Sequence, residues 1–587
     1  MRVLATILLA ALLGPSPSAL AQVAELISRN SGGVPADSHS FRPTLSSDGR
    51  YVAFESWASN LAAGVDVDNS GVFVRDLLTG TTVLASTSDA GNVPDGKSYM
   101  ADISGDGRFV AFWSQAANLV PDDTNGEEDL FVYDRVGRTV TRANVSSTGV
   151  QAEPADHNFH IVGTRPSLSA DGRFVAFDST AGNLVPGDTN GVLDVFVRDR
   201  QAGTTERISL KSDLTQASLP SSAPSISADG RYVAFISQDS LTPDDTNGQF
   251  DVYVYDRQAA ALERIGVTFG SAPAISGDGR LVAFESNATG LVSGDTNGKD
   301  DVFVYDRTAG QMTRVSVASD GTQGNGDSSE PAISGDGRYV AFTSAATNLV
   351  TGDSNANDDV FVHDRVQGTT TRISVLPSGL QTDSFSRVPA LDGDGYFIAF
   401  ESAATNLGFG DDFGAVDLVL GVLYDTCLDD PSKLFPGVCG CGAPDDDADH
   451  DGTFDCNDGC PNDPNKVSPG DCGCGLSDVD TDGDGTLDCH DPASADALAA
   501  LVREAIAAAR QLTPRTSGRE ALVAQLRSLA AYLTAAENNA AFSRKQKQLL
   551  SAAAQALTRL ADATGRSVTS RKAKALRVLR KLLKTTR

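Results

Sequence analysis

Seven near-copies of one block, Asp-Gly-Arg followed by Tyr-Val-Ala-Phe or a close variant, run through the chain with their aspartates at Asp48, Asp106, Asp171, Asp229, Asp278, Asp336 and Asp394. The intervals are 58, 65, 58, 49, 58 and 58 residues. A unit of this length is one supersecondary motif that buries its apolar faces only against its neighbours, so the chain is committed to a repeat architecture.

Each copy carries the same pattern. A short β-prone stretch such as "APAIS" enters the Asp-Gly turn, whose residues favour the positive φ angles of a tight hairpin. "RLVAFES" follows, alternating so that Val282 and Phe284 face one way. An acidic loop, a third strand like "DVFVYDR", a glycine turn and a fourth strand like "MTRVSV" complete the unit. Four antiparallel strands repeated seven times predict an all-β, seven-bladed β-propeller over residues 23–425. The last copy has no fourth strand before Cys427, but Ile27 lies as far before Asp48 as Ile208 before Asp229, Val315 before Asp336 and Ile373 before Asp394. Residues 23–29 are therefore expected to complete the last blade and remove its open edge.

These repeats, with "SADGRFVAF" the clearest copy, resemble the TolB-like class of WD-repeat-like propeller repeats found in exported bacterial proteins. The resemblance implies the fold. TolB itself carries a further N-terminal α/β domain that this sequence lacks, and a fold does not by itself specify an activity.

The N-terminus reads as an export signal over residues 1–21: Arg2, the apolar run "VLATILLAALLG", and an A-x-A pattern at Ala19 and Ala21. No later apolar run reaches the ~20 residues that span a bilayer. A secreted, periplasmic or cell-surface location is expected. The formal net charge of -30 disfavours nucleic acid and suits a protein that meets cations. That charge is unevenly spread, because residues 493–587 hold 18 Lys+Arg against 5 Asp+Glu.

Propeller enzymes place their chemistry where the inner strands meet the central channel. Six residues before each Asp-Gly turn stand Arg42, Met100, Arg165, Ala223, Ala272, Glu330 and Val388, with no His and one carboxylate. Proline follows in six copies (Pro43, Pro166, Pro224, Pro273, Pro331, Pro389), which suits a rigid strand start. Neither GxSxG nor HExxH occurs. Of six histidines, His157 and His160 share one long loop and form a weak metal candidate. No catalytic residue is assigned.

The strongest chemical signal follows the propeller. Residues 426–492 hold two copies of a 33-residue unit, in which Cys427, Cys439, Cys441 and Cys456 map onto Cys460, Cys472, Cys474 and Cys489. Each ends in an acidic series with acids at loop positions 1, 3, 5, 9 and 12: Asp447, Asp449, Asp451, Asp455, Asp458, then Asp480, Asp482, Asp484, Asp488, Asp491. Calcium takes six to eight hard oxygen ligands, alternate side chains of a wrapping loop converge on one point, and Gly452 and Gly485 permit the bend. Thr453 and Thr486 would add backbone carbonyls at position 7. The flanks are Cys, Pro and Gly rather than helices, and the segment looks like the thrombospondin type 3 repeat family, whose loops bind calcium and are stapled by disulfides. With 17 Asp against two Lys in this segment, metal binding is expected to be coupled to folding. The eight cysteines are read as disulfides rather than a zinc site, with connectivity left open.

Residues 493–587 change to Ala, Leu, Lys and Arg with helical periodicity in "SADALAALVREAIAAARQL" and around 519–536, 543–563 and 570–584. In the last, Leu576, Leu579, Leu582 and Leu583 share one face and Lys574, Arg577, Arg580, Lys581 and Lys584 another. Docking to an anionic surface and a merely solvated basic face both fit.

Five blades also carry an acidic loop before strand three: Asp123, Asn125, Asp129; Asp188, Asn190, Asp194; Asp245, Asn247, Asp251; Asp295, Asn297, Asp301; Asp353, Asn355, Asp359. Against the calcium loops these supply positions 3, 5 and 9 but no acid at position 1. They read as structural turns and as candidates for weak calcium occupancy. Blade one has Gly71 for the last Asp, blade seven has Phe413 for Asn, and blade six has Ala356 where the others have Gly. The expectation for the whole is an exported, non-enzymatic calcium-binding propeller that presents a ligand-binding or adhesion surface to a protein or polysaccharide. The alternative is an extracytoplasmic hydrolase or lactonase with a divergent channel site.

Overall fold

Each repeat forms one four-stranded antiparallel sheet, and the seven sheets are the blades of a β-propeller. The computed structural model describes residues 22–423 except 66–69, 154–163, 269–272, 377–379 and 409–414, then 448–449, 453, 455–472, 474, 478, 544–561 and 567–583. The expected export signal, His157, His160 and the first two expected helical segments of the C-terminal region lie outside these residues. The chain divides into Met1–Asp425 and Thr426–Arg587.

Blade three shows how the pattern becomes a sheet: Ser167–Leu168, Phe174–Ser179, Asp194–Asp199 and Thr204–Arg207 pair in that order. Val175 and Phe177 lie on one face of the second strand and pack with Trp113 and Leu130 of blade two. Ala176, on the other face, packs with Val233 and Phe235 of blade four. Large residues on one face thus meet the small alanine of the preceding blade, which is the reason for the Val-Ala-Phe order. Inside the blade Phe177 stacks on Phe196 at 5.7 Å, and the same pairing recurs in blades one to six.

The Asp-Gly turn has one positive-φ residue rather than two. The N–H of Gly172 donates to Ser169 O at 2.8 Å, and Gly172 takes φ 63° after the turn. Asp171 Oδ1 accepts from Ser169 Oγ and from the N–H of Arg173. A Cβ on Gly172 would also lie 2.3 Å from Phe109 of blade two, so glycine is required by space as well as by φ. Arg200 stacks over the same Phe109 ring at 4.4 Å and donates to Gly172 O at 2.6 Å.

Backbone bonds link these turns into a closed circle: Ser47 N to Gly105 O, Asp106 N to Ala170 O, Ala170 N to Ala228 O, Ala228 N to Gly277 O, Gly277 N to Gly335 O, Gly335 N to Gly393 O, and Gly393 N back to Ser47 O. At the seam the N-terminal strand Gln22–Leu26 pairs with Asp417–Val422 of blade seven. Ile27 N donates to Leu418 O just as Ile208 does to Val195 O, Val315 to Val302 O and Ile373 to Val360 O.

In the second unit Cys460 and Cys474 form a disulfide, which joins the first and third cysteines of the second 33-residue copy. Cys456 and Cys472 each also take part in a disulfide. Helix α1, Arg544–Ala561, packs on helix α2, Ser567–Leu583. Leu550, Ala553, Leu557 and Leu560 of α1 and Ala575 and Leu579 of α2 are buried, while Arg571, Lys574, Arg577, Arg580 and Lys581 stay exposed. Part of the apolar face of α2 is therefore used in the hairpin. No described helix is long and apolar enough to cross a membrane.

Candidate functional site

The blade loops bring their acids together around an arginine. In blade three Arg207, from strand four, lies 2.8 Å from Asp188 and 3.1 Å from Asp194. Arg142 lies 3.4 and 2.9 Å from Asp123 and Asp129, and Arg314 lies 3.1 and 3.2 Å from Asp295 and Asp301. Arg264 is 2.8 Å from Asp251 and 3.9 Å from Asp245, and Arg372 is 3.4 and 3.5 Å from Asp353 and Asp359. The second acid of each pair is fully buried. Burial raises the carboxyl pKa of Asp188, Asp251 and Asp301, and takes Asp129 and Asp359 to about 6.

The asparagine of each loop builds the turn. The Oδ1 of Asn125, Asn190, Asn247, Asn297 and Asn355 accepts from the backbone N–H two residues on. The Nδ2 of Asn190 and Asn297 donates to the second Asp and to a backbone carbonyl. Ala356, where the other blades have Gly, takes the same left-handed conformation at φ 55°. Sequence reasoning missed the arginines because they lie on another strand. Their signal is regular: each stands thirteen residues after the second Asp, and Leu84 takes that register in blade one, where Gly71 replaces the Asp. Leu26 takes it in blade seven.

A cavity of about 660 Å³ opens at the channel mouth. Of the inner-strand positions singled out above, Arg42, Met100, Arg165, Glu330 and Val388 line it; Ala223 is not among the lining residues and Ala272 lies outside the described residues. Arg42, Met100, Ala223, Glu330 and Val388 have φ between 51° and 56°. They sit on β-bulges within strand one, so Pro43, Pro224, Pro331 and Pro389 mark bulges, where a missing N–H disturbs no ladder, whereas in blades three and five strand one starts directly after Pro166 and Pro273.

Two further carboxylates, Glu55 and Glu401, reach the mouth from strand two, raising the number there to three. Their signal is the "AFES" ending of strands Tyr51–Ser56 and Phe397–Ser402. Glu401 accepts the Arg42 N–H at 2.9 Å and Arg387 Nε at 3.2 Å. Glu55 accepts Arg42 Nη1 at 3.1 Å and the Met100 N–H at 3.3 Å. Glu330 accepts the Val388 N–H at 2.9 Å and Thr343 Oγ1 at 2.8 Å. Each carboxylate thus holds the strained bulge of strand one in its own or an adjoining blade. Burial raises the pKa of Glu401, opposed by these donors. Burial also lowers that of Arg165, opposed by the Asp102 charge, and Asp102 itself is raised to about 6 by burial. Beside the charges Trp57 is 48% exposed and meets Phe41 edge-on at 5.5 Å, while the chain's other tryptophan, Trp113, is fully buried.

Of the downstream calcium candidates, Asp449, Thr453, Asp455 and Asp458 are among the described residues, as are Cys456, Cys460, Cys472 and Cys474. Asp447, Asp451, Asp480, Asp482, Asp484, Thr486, Asp488, Asp491, Cys427, Cys439, Cys441 and Cys489 lie outside them. Asp449 and Asp458 are buried. Asp458 Oδ1 accepts the Cys460 N–H at 2.6 Å, whereas its Oδ2 is buried without a hydrogen-bond partner. Such an orphaned carboxylate oxygen, in a donor set made of oxygen, fits a hard cation. Among the described residues no three His, Cys, Asp or Glu side chains converge as a metal-holding group.

No protein family and no curated protein matches the sequence. Among solved structures the chain is similar to TolB from Acinetobacter baumannii, at 16% identity over 64% of this chain and 80% of that one, TM-score 0.31. It is similar to a putative TolB from Agrobacterium tumefaciens, at 15% identity over 50% and 84%, TM-score 0.31. It is also similar to the β-propeller domain of the Trilobed protease from Pyrococcus furiosus, at 12% identity over 62% and 91%, TM-score 0.38.

Proposed function

We propose that this chain is an exported, non-enzymatic, calcium-binding propeller protein that binds a ligand at its channel mouth and serves as an interaction or adhesion module. The observation that carries this reading is the commitment of the mouth carboxylates: Glu55, Glu330 and Glu401 each accept two protein donors. A general acid or base must be open to the proton it moves, and these three hold backbone N–H groups of the bulges instead. The buried Glu401, with its raised pKa, favours the hydrolase or lactonase alternative and makes it testable.

Calcium would be held by Asp447, Asp449, Asp451, Thr453, Asp455 and Asp458 and by Asp480, Asp482, Asp484, Thr486, Asp488 and Asp491. It would supply the positive charge that lets these acids share one short segment. In the blades that charge is provided covalently by Arg142, Arg207, Arg264, Arg314 and Arg372, which supports reading those loops as structural. The exposed cations of α2 suit electrostatic docking to an anionic surface.

The test is a panel of peptides and polysaccharides presented to the full-length protein and to Trp57→Ala. Binding lost in the variant is the expected result. Binding indifferent to Trp57→Ala would move the site elsewhere, and ester or lactone hydrolysis abolished by Glu401→Gln would favour the enzyme.

A further inference from the structure

The mouth has more donors than acceptors to offer. Its three carboxylates are each engaged twice by the protein, whereas Arg42 and Arg387 remain 44% and 43% exposed. Each of these guanidinium groups makes one hydrogen bond at the mouth, to Glu55 and to Glu401, and a guanidinium has five N–H donors. Glu401 accepts the backbone N–H of Arg42 and the Nε of Arg387 at the seam of blades seven and one, while the Arg42 guanidinium turns to Glu55 on blade one. Arg387 is further oriented by lying over the Phe385 ring at 4.7 Å. Around them the lining is apolar: Phe41, Trp57, Met100, Val388 and the two prolines, Pro331 and Pro389.

Resting on the reading of the mouth as a ligand site, we infer that its ligand is a carboxylate on an apolar body, with the acid group taken by the guanidinium of Arg387 and the body lying against Trp57 and Phe41. Two oxygens of a carboxylate match the paired N–H groups of a guanidinium, and a charge-assisted bond of this kind is stronger than a neutral one. The apolar residues gain from excluding water but give no orientation, which Arg387 supplies. The same chemistry is presented by the free C-terminus of a peptide ending in an apolar residue and by a small apolar acid.

The test uses the fluorescence of the full-length protein, in which Trp57 is exposed and Trp113 buried. Three probes are titrated: an N-acetylated tripeptide ending in leucine with a free carboxylate, the same tripeptide as its C-terminal amide, and hexanoate. Saturable binding of the free-acid peptide, about tenfold or more tighter than the amide, is expected. Hexanoate binding as tightly as the peptide assigns the small acid as the source, and hexanoate binding more weakly assigns the chain end. Arg387→Gln should weaken the acid about tenfold and leave the amide unchanged, and Arg387→Lys should recover part of the loss. Equal affinity for acid and amide, or an acid affinity unmoved by Arg387→Gln in a protein that still melts cooperatively, overturns the inference. If the peptide and polysaccharide panel meanwhile yields a ligand that needs Trp57, the mouth stands as a site and only the ligand class falls.

Discussion

Replacing Arg207 by leucine asks what the blade loops are for. Leucine is the residue at this register in blades one and seven, Leu84 and Leu26, so the side chain is compatible with the strand. What is lost is the charge between Asp188 and Asp194, whose side chains are 4% and 0% exposed. Removing one partner of a buried ion pair leaves the other charge uncompensated and costs about 3–5 kcal/mol. That is a large part of the ~5–15 kcal/mol that separates folded from unfolded domains. Burial and the Asp194 charge already raise the Asp188 carboxyl, and losing the guanidinium raises it further. A group whose folded pKa is raised loses stability as pH climbs from the ordinary carboxylate range through that raised pKa, so the deficit should widen as pH rises. Urea unfolding followed by Trp113 is the assay, because that blade-two ring packs against Val175, Phe177 and Phe196 of blade three, the blade that carries Arg207. Calcium should recover part of the loss in the variant, whose two acids are then open to a divalent ion, while leaving the unfolding midpoint of the parent propeller in place. A cost below about 1 kcal/mol, or a parent midpoint that moves with calcium as far as the variant's, would refute the reasoning.

Three further outcomes are expected. Gly172→Ala should lower stability by about 2–4 kcal/mol, from the left-handed φ together with the contact with Phe109, and Phe109→Ala should relieve only the steric part in thermal melts. Asp392 stands where the other six blades have serine, is 4% exposed, and is raised to about 7, first by burial. Its folded form holds the proton more tightly than the unfolded chain, so stability present near pH 4 is lost as pH rises through 7; Asp392→Ser should remove a loss of about 4 kcal/mol between pH 4 and pH 8, measured as the difference between two denaturation series. On the acid side, Asp134, Asp256 and Asp306 are held near 2 by Arg108, Arg231 and Arg280, and Arg280→Gln should shift the onset of acid unfolding to higher pH in a circular-dichroism titration.

How far the sequence carries the fold depends on where the partners sit. Strand order, the alternation that puts Val and Phe of strand two on one face, and the N-terminal strand in fourth-strand register are all local patterns that the repeats expose. The positive φ of Arg42 and Val388 was not legible, because neither residue favours that region and the bulge is held by a carboxylate from another strand. For the same reason Glu55 and Glu401 are not legible at the mouth from strand one, since their side chains arrive there from strand two. Arg207 and its counterparts are not legible beside the acidic loops, because they arrive from strand four and meet the acids only through the pairing of strands three and four. Both the disulfide between Cys460 and Cys474 and the hairpin of α1 and α2 rest on contacts that residue spacing leaves open.

The proposed division of the acids, calcium downstream and guanidinium in the blades, is tested most directly by counting tightly bound calcium on the full-length protein by calorimetry. We predict two ions per chain, one for each acidic series between Asp447 and Asp491, with one lost in Asp458→Ala and none lost in Asp194→Asn. Seven ions, or a count reduced by Asp194→Asn, would place calcium in the blade loops and contradict that division; no tight calcium at all would remove it from the downstream segment.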